Sequence, residues 1–242
     1  MRVFLSVVLS TFLLSSNLYA DTIVLGAAQD NTIYQDSTGN SNGSGDFFFT
    51  GQNGGASPRR GLIQFDLSTL PAGAVVTGVT LDLVASQVSS TTAYDISFHR
   101  LLAAWGESTS DANGGEGGGA AAAPGDATWN ESFFGSQNWA NPGGDFVTGA
   151  SATTSVSTTG AYSWTGPGLV DDVQSWIDGT NSNFGWIGIG NEIDASSAKR
   201  FNSRNNASNN PTLTIEFDVI PEPATTGLII FGCLGMMGRR RR

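Results

Sequence analysis

Short apolar runs that alternate with polar residues constrain this chain more than any other feature of its sequence. Val79, Leu81 and Leu83 fall at every second position, with Thr80 and Asp82 between them. Since successive side chains of a strand point to opposite faces, such runs have one apolar and one polar face. Strands of this kind pack one face on a core and leave the other in water. We therefore expect an all-β fold, a jelly-roll-like antiparallel β-sandwich.

Glycine, asparagine, serine and proline clusters separate the apolar runs and mark turns between strands. The strands are predicted at residues 22–27, 31–35, 46–51, 60–67, 75–86, 93–103, 145–148, 153–158, 160–165, 184–190, 199–204 and 211–219. No repeat period or internal linker divides these runs. We expect residues 21–219 to form a single domain.

Two segments depart from the strand pattern. Residues 169–178 carry apolar side chains at helical spacing and stop at Gly179, which predicts one short amphipathic helix. Residues 106–144 contain a glycine-rich run at 114–119 and lack periodicity, which predicts a long irregular insertion loop over one face of the sandwich. Loops of this length often carry binding function.

The charges of the chain are unevenly distributed. There are 11 Lys and Arg against 21 Asp and Glu, for a net charge of −10. Five of the cations are Arg2 and Arg239 to Arg242, so residues 21–220 hold six cations against twenty acids. A body this acidic cannot neutralise a phosphate backbone by counterion release. The sequence therefore excludes nucleic acids and anionic membrane surfaces as partners of the body.

The N-terminal residues 1–20 have the order of a secretory signal peptide. A charged start at Arg2 precedes an apolar run, and a polar stretch ends at Ala20. The run is too short to span a bilayer, so we expect export and cleavage after Ala20. The only cysteine, Cys233, lies outside the body, which therefore has no disulfide.

The C-terminal residues 220–242 have three parts in a fixed order. These are Pro221, Glu222 and Pro223, then a nearly uncharged run that predicts a separate hydrophobic helix, then Arg239, Arg240, Arg241 and Arg242. Such a segment would halt in the membrane with its arginines on the cytoplasmic side, as a plain tail anchor does. The order also resembles the bacterial PEP-CTERM sorting signal. That resemblance implies an exosortase-type processing enzyme as partner, transient inner-membrane anchoring, and an extracellular or cell-surface location.

Four motifs of the body occur together in one order. They are the run from Arg60 to Ala74 followed by 79–83; Trp105-Gly106-Glu107; the helix with Asp172, Val173 and Trp176 before Asn183-Phe184-Gly185; and 198–204 leading to 211–213. Together they resemble the bacterial DNRLRE family of disaggregatase-related jelly rolls. The resemblance implies a domain similar to carbohydrate-binding modules, with polysaccharide, including acidic sugars, as its partner.

The residue inventory offers little for catalysis. His99 is the only histidine, and its alternation places it on the outward face of a strand. The body has no cysteine, no Gly-x-Ser-x-Gly elbow and no phosphate loop. We expect a non-catalytic protein, with a polysaccharide hydrolase or lyase that uses Asp and Glu as an alternative.

Four aromatic residues of the insertion are candidates for a glycan platform, because sugar rings stack on aromatic faces. They are Trp129, Phe133, Phe134 and Trp139. A long loop also needs aromatic residues to pin itself down, which is the alternative interpretation. Trp105, Trp176 and Trp186 are expected in the core.

The few cations of the body are candidates for pairing with the carboxylates of an acidic sugar, and Arg59 and Arg100 are assigned this role. For Arg200 and Arg204 we favour pairing with Glu216 and Asp218 across the last two strands. An oxygen-rich early stretch offers Asp30, Asp36 and Asp46 as ligands of a structural calcium ion. Turn formation explains the same composition.

These features predict an exported, non-catalytic carbohydrate-binding or exopolysaccharide-associated matrix protein. The alternatives are a purely structural surface or biofilm protein without a specific sugar, and the Asp/Glu enzyme described above.

Overall fold

The computed structural model describes residues 19–219, which form fourteen strands and one helix. The strands are β1 (Tyr19–Tyr34), β2 (Asn40–Ser41), β3 (Phe47–Gln52), β4 (Pro58–Phe65), β5 (Ala74–Val88), β6 (Tyr94–Arg100), β7 (Ala120–Ala121), β8 (Glu131–Phe133), β9 (Gln137–Asn138), β10 (Ala152–Val156), β11 (Gly160–Thr165), β12 (Trp186–Ile189), β13 (Lys199–Asn202) and β14 (Thr212–Val219). The helix is α1 (Pro167–Ile177). Most of the predicted signal peptide and the predicted C-terminal helix lie outside these residues.

Two antiparallel sheets face each other. In the first sheet, β14 and β13 lie end to end along one edge of β5, and β11 lies along the other edge. The second sheet has the order β1-β4-β12-β6-β10. β1 belongs to both sheets, and its register shifts between Ala27 and Gln29, where it passes from β14 to β4. The predicted all-β, jelly-roll-like sandwich is confirmed.

The core between the sheets is built from the apolar faces that the alternation predicts. Val79, Leu81 and Leu83 of β5 are all buried there. Large aromatic side chains fill the centre, among them Phe98, which meets Trp164 edge to face at a centroid distance of 5.3 Å. Burying large apolar side chains supplies most of the stability of a body that has no disulfide.

The helix α1 covers the first sheet near the start of β5. It begins at Pro167, two residues before the predicted start, and its buried face includes Val173 and Trp176. Gln174 joins it to the strand, because its Oε1 accepts the Val76 N–H at 2.8 Å. The predicted amphipathic helix is confirmed.

The insertion 106–144 is irregular, as predicted, apart from the very short strands β7, β8 and β9. It packs on the outer face of the second sheet and buries Ile33, Leu62 and Ile187 there, beneath side chains that include Trp129. Leu62 and Ile187 alternate with Ile63 and Trp186, which belong to the inner core. β4 and β12 are therefore buried on both faces.

Two expectations about strands are wrong. Residues 145–148 do not form a strand, since only a single bridge joins Phe146 to Leu101. β13 does not pair with β14, because both lie along the same edge of β5. Glu216 and Asp218 consequently pair across to β5 and β1, and they are not the partners of Arg200 and Arg204.

The close packing within the insertion can be tested at Gly106. A Cβ built at Gly106 would lie 1.7 Å from the Gly125 oxygen, so Gly106→Ala forces the backbone apart. We expect a loss of about 3 kcal/mol in the free energy of unfolding, measured by urea denaturation. Gly118→Ala is the matched control, because a Cβ there meets no atom within 4 Å. Equal stability of the two variants would contradict this close packing of Gly106 on Gly125.

Candidate functional site

A cleft of about 520 Å³ opens between the outer face of the first sheet and the glycine-rich loop of the insertion. We call it the glycine-loop cleft. In register across β5, β13 and β3, Gln87, Arg200 and Phe49 stand opposite one another and line its floor. The polar side chains lining the cleft are Asn53, Arg59, Gln87, Ser89, Asn113, Glu116 and Arg200. The cleft therefore combines two cations and one carboxylate with several neutral hydrogen-bonding groups.

Arg200 lines this cleft, and its guanidinium is held in a fixed orientation. Its guanidinium carbon lies 3.7 Å from the centroid of the Phe47 ring, and its Nε donates to Ser86 Oγ at 3.1 Å. Within residues 19–219, neither of its terminal nitrogens has a hydrogen-bond partner. The side chain is half-buried, so these donors are held in place yet remain available to a ligand.

Arg59 has a different position in the same cleft. Its side chain is buried, its Nε donates to the Gly117 oxygen at 2.7 Å, and its Nη1 donates to the Ser57 oxygen at 2.8 Å. Asp36 lies 3.5 Å from its Nη2. Most of the donors are occupied, so Arg59 holds the glycine-rich loop and contributes positive charge at the base of the cleft.

Glu116 fixes the glycine-rich loop from within. It is 7% exposed, and its carboxylate accepts the Phe47 N–H at 3.0 Å and the Asn42 Nδ2–H at 2.8 Å. The main-chain oxygen of Glu116 accepts a hydrogen bond from the Tyr34 hydroxyl at 3.2 Å. A charged group held by backbone and amide donors is a strong anchor. Sequence reasoning missed Glu116, because its partners lie some seventy residues away in the chain.

The two tryptophans of the insertion are buried, whereas a glycan platform needs exposed rings. Trp129 and Trp139 are only 6% and 5% exposed. The Arg60 guanidinium covers Trp129 at 4.8 Å, and the Trp139 Nε1 donates to the Thr128 oxygen at 2.9 Å. Neither ring has an open face, so in this structure both act as loop anchors, which was the alternative interpretation.

The other predicted site residues do not gather at the cleft. Phe133 and Phe134 are half-buried elsewhere on the insertion. Arg100 borders a separate cleft of about 210 Å³, and its Nε lies 3.0 Å from Asp172 Oδ1. Arg59 and Arg100 therefore lie at different clefts. Trp105, Trp176 and Trp186 are buried, as expected.

The three carboxylates predicted to bind calcium do not share contacts with one another. Asp30 accepts the Arg204 N–H at 2.6 Å, Asp36 faces Arg59, and Asp46 is exposed. Residues 19–219 contain no group of three or more His, Cys, Asp or Glu side chains arranged to hold a metal ion. The structural calcium ion stays a prediction from the sequence.

Asp30 is an acidic residue in a buried environment that, among residues 19–219, leaves one of its carboxyl oxygens unpartnered. It is wholly buried, and its Oδ1 has no hydrogen-bond partner in the described part of the chain. Burial raises its pKa to about 7, against which the hydrogen bond from the Arg204 N–H acts. Glu107 lies nearby and pairs with the Arg204 Nε at 2.7 Å; burial raises its pKa as well.

Comparison with models of known protein families gives no match, and no curated protein matches the chain. Over residues 19–219 no helix has the length and apolarity needed to cross a membrane. The hydrophobic helix predicted in the tail lies outside that range.

The buried acid gives a testable pH dependence. The pKa of Asp30 rises from an ordinary value of 3.8 to about 7 on folding. Between those values the folded chain keeps a proton that the unfolded chain has released, so stability falls as the pH rises through this window. Asp30→Asn cannot ionise and keeps an oxygen for the Arg204 N–H. Above neutral pH, we expect it to unfold with a free energy larger than the parent's by on the order of a few kcal/mol.

The measurement is urea denaturation of the parent and the variant at a series of pH values. The gain should shrink at acid pH, where Asp30 is protonated in both states. Asp171→Asn is the control, since Asp171 is an exposed acid on α1. Parallel pH profiles for the parent and Asp30→Asn would refute a buried titrating carboxyl.

Proposed function

We propose that this chain is an exported, non-catalytic carbohydrate-binding protein of the extracellular matrix, and that the glycine-loop cleft is its glycan site. The observation that carries the proposal is the half-buried Arg200 guanidinium, which is oriented by Phe47 and Ser86 and presents unpartnered donors. The cleft volume of about 520 Å³ lies within the range of small-molecule sites.

The lining favours recognition of hydroxyl and carboxylate groups over stacking. Gln87 and Asn113 are exposed amides that both donate and accept hydrogen bonds, as sugar hydroxyls require. Arg200 offers a planar pair of donors that fits a carboxylate, and Arg59 adds positive charge behind it. An acidic sugar such as a uronate is the ligand class that uses both features.

The acidity of the rest of the body supports the glycine-loop cleft as the site where an anionic glycan binds. With six cations against twenty acids in residues 21–220, most of the surface repels a polyanion. The cleft holds two of those six cations and one lining carboxylate, Glu116, whose oxygens are engaged by Asn42 and Phe47, so an anionic glycan can approach there. Binding there is expected to weaken with salt, because the attraction is partly electrostatic.

The position of the cleft suits a protein that is held transiently by its tail before it is processed. Val219, the last described residue, pairs with Ala74 at the start of β5, and Tyr19 pairs with Val219. The cleft lies at the opposite end of β5, beside Gln87. β5 has 15 residues. At ~3.3 Å per residue, its two ends are about 45 Å apart. A body tethered beyond Val219 would thus present the cleft away from the tether.

Sorting by the tail is the second part of the proposal. Its support is the order of the three parts in 220–242, Pro221-Glu222-Pro223, the apolar run and the four arginines. Membership of the DNRLRE and PEP-CTERM groups is likewise proposed from the motifs of the sequence alone.

Glycan binding is tested by affinity electrophoresis of the full chain in gels that contain a polyuronate, a neutral polysaccharide or no polymer. We expect retardation by the polyuronate, and Arg200→Gln to weaken it roughly tenfold, because a charge-assisted hydrogen-bond pair is lost. Arg204→Gln is the control for loss of charge, since Arg204 pairs with Glu107 and does not line the cleft.

Three outcomes would contradict the binding proposal. Migration unchanged by any polysaccharide would favour the purely structural protein. Retardation that Arg200→Gln and Arg204→Gln reduce equally would place the ligand elsewhere. Release of reducing ends or unsaturated uronic products would favour the hydrolase or lyase.

The sorting proposal is tested by replacing Arg239, Arg240, Arg241 and Arg242 with glutamine. We expect the parent to be released without residues 220–242, and the variant to lose this processing, because its helix lacks the cytoplasmic cations. Cell fractionation and the mass of the released protein are the measurements. A released parent that still carries the tail would count against processing.

A further inference from the structure

Asparagine followed by glycine occurs three times in the chain, at Asn42-Gly43, Asn53-Gly54 and Asn113-Gly114. In such a pair the glycine nitrogen can attack the asparagine side-chain carbonyl, because no side chain on the glycine blocks the approach. The attack requires the amide side chain to rotate toward that nitrogen. The three pairs differ in how far the structure permits this rotation.

Asn42-Gly43 is held most firmly. Asn42 is wholly buried, its Oδ1 accepts the Ala112 N–H at 3.0 Å, and its Nδ2 donates to the Phe47 oxygen at 2.8 Å. The attacking group is engaged too, since the Gly43 N–H donates to Ser110 Oγ at 2.9 Å. Both reacting groups of this pair are immobilised.

In the pair Asn53-Gly54, the hydrogen bonds in the described part of the chain hold the asparagine side chain and not the glycine nitrogen. Asn53 Oδ1 accepts the Gly55 and Ser57 N–H groups, both at 2.9 Å, and its Nδ2 donates to Asp36 at 3.2 Å. Three hydrogen bonds must be released or bent before the carbonyl can meet the Gly54 nitrogen.

Asn113-Gly114 has no such restraint. Asn113 is exposed, and within residues 19–219 its side chain makes no hydrogen bond. Gly114 adopts a φ of 70°, in the left-handed region, and a Cβ built on it meets no atom within 4 Å. There is consequently room for the five-membered ring that the attack forms. Asn113 also lines the glycine-loop cleft.

We propose that Asn113 is a site of spontaneous deamidation that changes the charge of the glycine-loop cleft. The Gly114 nitrogen bonds to Asn113 Cγ, ammonia leaves and a succinimide forms. One water then opens the ring at either carbonyl, which gives aspartate or isoaspartate at position 113. The balance is amide plus water to carboxylate, ammonium and, on the isoaspartate branch, a backbone rerouted through the side chain.

The product places a carboxylate in a cleft whose cations are Arg59 and Arg200. A new negative charge near an anion site opposes binding of an anion. This consequence rests on the proposed function, whereas the deamidation itself depends only on the local structure. The age of an exported molecule would then set its affinity for an acidic glycan.

The test follows all three pairs by peptide mapping and mass spectrometry while the folded full chain is kept in mildly alkaline buffer. We expect deamidation at Asn113 at least about tenfold faster than at Asn53, because releasing only one or two of the three Asn53 hydrogen bonds already corresponds to roughly that factor. Asn42 should be the slowest. In the chain unfolded in urea, the three rates should converge.

Two variants connect the chemistry to the cleft. Asn113→Gln should abolish the fast phase and keep polyuronate binding constant on storage. Asn113→Asp should bind the polyuronate roughly two- to fivefold more weakly than fresh parent, which is the scale of one added charge at a partly exposed site.

The outcomes separate the two proposals. Deamidation of Asn53 or Asn42 as fast as that of Asn113 in the folded chain would overturn the assignment of the site. Fast deamidation at Asn113 with unchanged binding by Asn113→Asp would overturn the effect on the cleft. Absence of polyuronate binding by the fresh parent would overturn the proposed function and leave the rate order as measured.

Discussion

Burial of both faces of β4 and β12 is the constraint on which the rest of the structure depends. Ile63 and Trp186 pack into the core between the sheets, whereas their neighbours Leu62 and Ile187 point outward into a second apolar cluster. Outward apolar side chains on two central strands need a cover, and the insertion supplies it through residues such as Trp129. The irregular segment is thus fixed to the sandwich by apolar burial. Its glycine-rich loop is thereby placed beside the first sheet.

The glycine-loop cleft follows from this docking together with a few charged anchors. Glu116 holds the loop through donors at Asn42 and at the start of β3, and Arg59 holds it from β4. Both charges are largely occupied by these contacts. Arg200 differs, because its ring stack and single hydrogen bond orient the guanidinium without exhausting its donors. The two cations of the cleft therefore differ, since Arg59 is engaged in holding the loop and Arg200, among the described residues, keeps unpartnered donors.

Sequence reasoning succeeded where a local pattern dictates a local structure. The alternation of Val79, Leu81 and Leu83 predicted their burial, and helical spacing predicted α1. It failed where the pairing of distant segments decides the outcome. The sequence order of β13 and β14 favoured their pairing, yet β5 is long enough to accommodate both along one edge. The insertion tryptophans were ambiguous for the same reason, since exposure depends on what covers a ring.

The sequence by itself determined the fold class, the helix α1, the irregular insertion and the acidic character of the body. These follow from periodicity, glycine content and charge counts, which are properties of neighbouring residues. Only the tertiary structure decided that Trp129 and Trp139 are anchors, that Arg200 with Gln87 lines the cleft, and that Asn113 is unrestrained while Asn42 and Asn53 are held. The physical reason is that burial and hydrogen bonding are set by contacts between residues far apart in the chain, and such contacts exist only once the two sheets and the insertion have packed together.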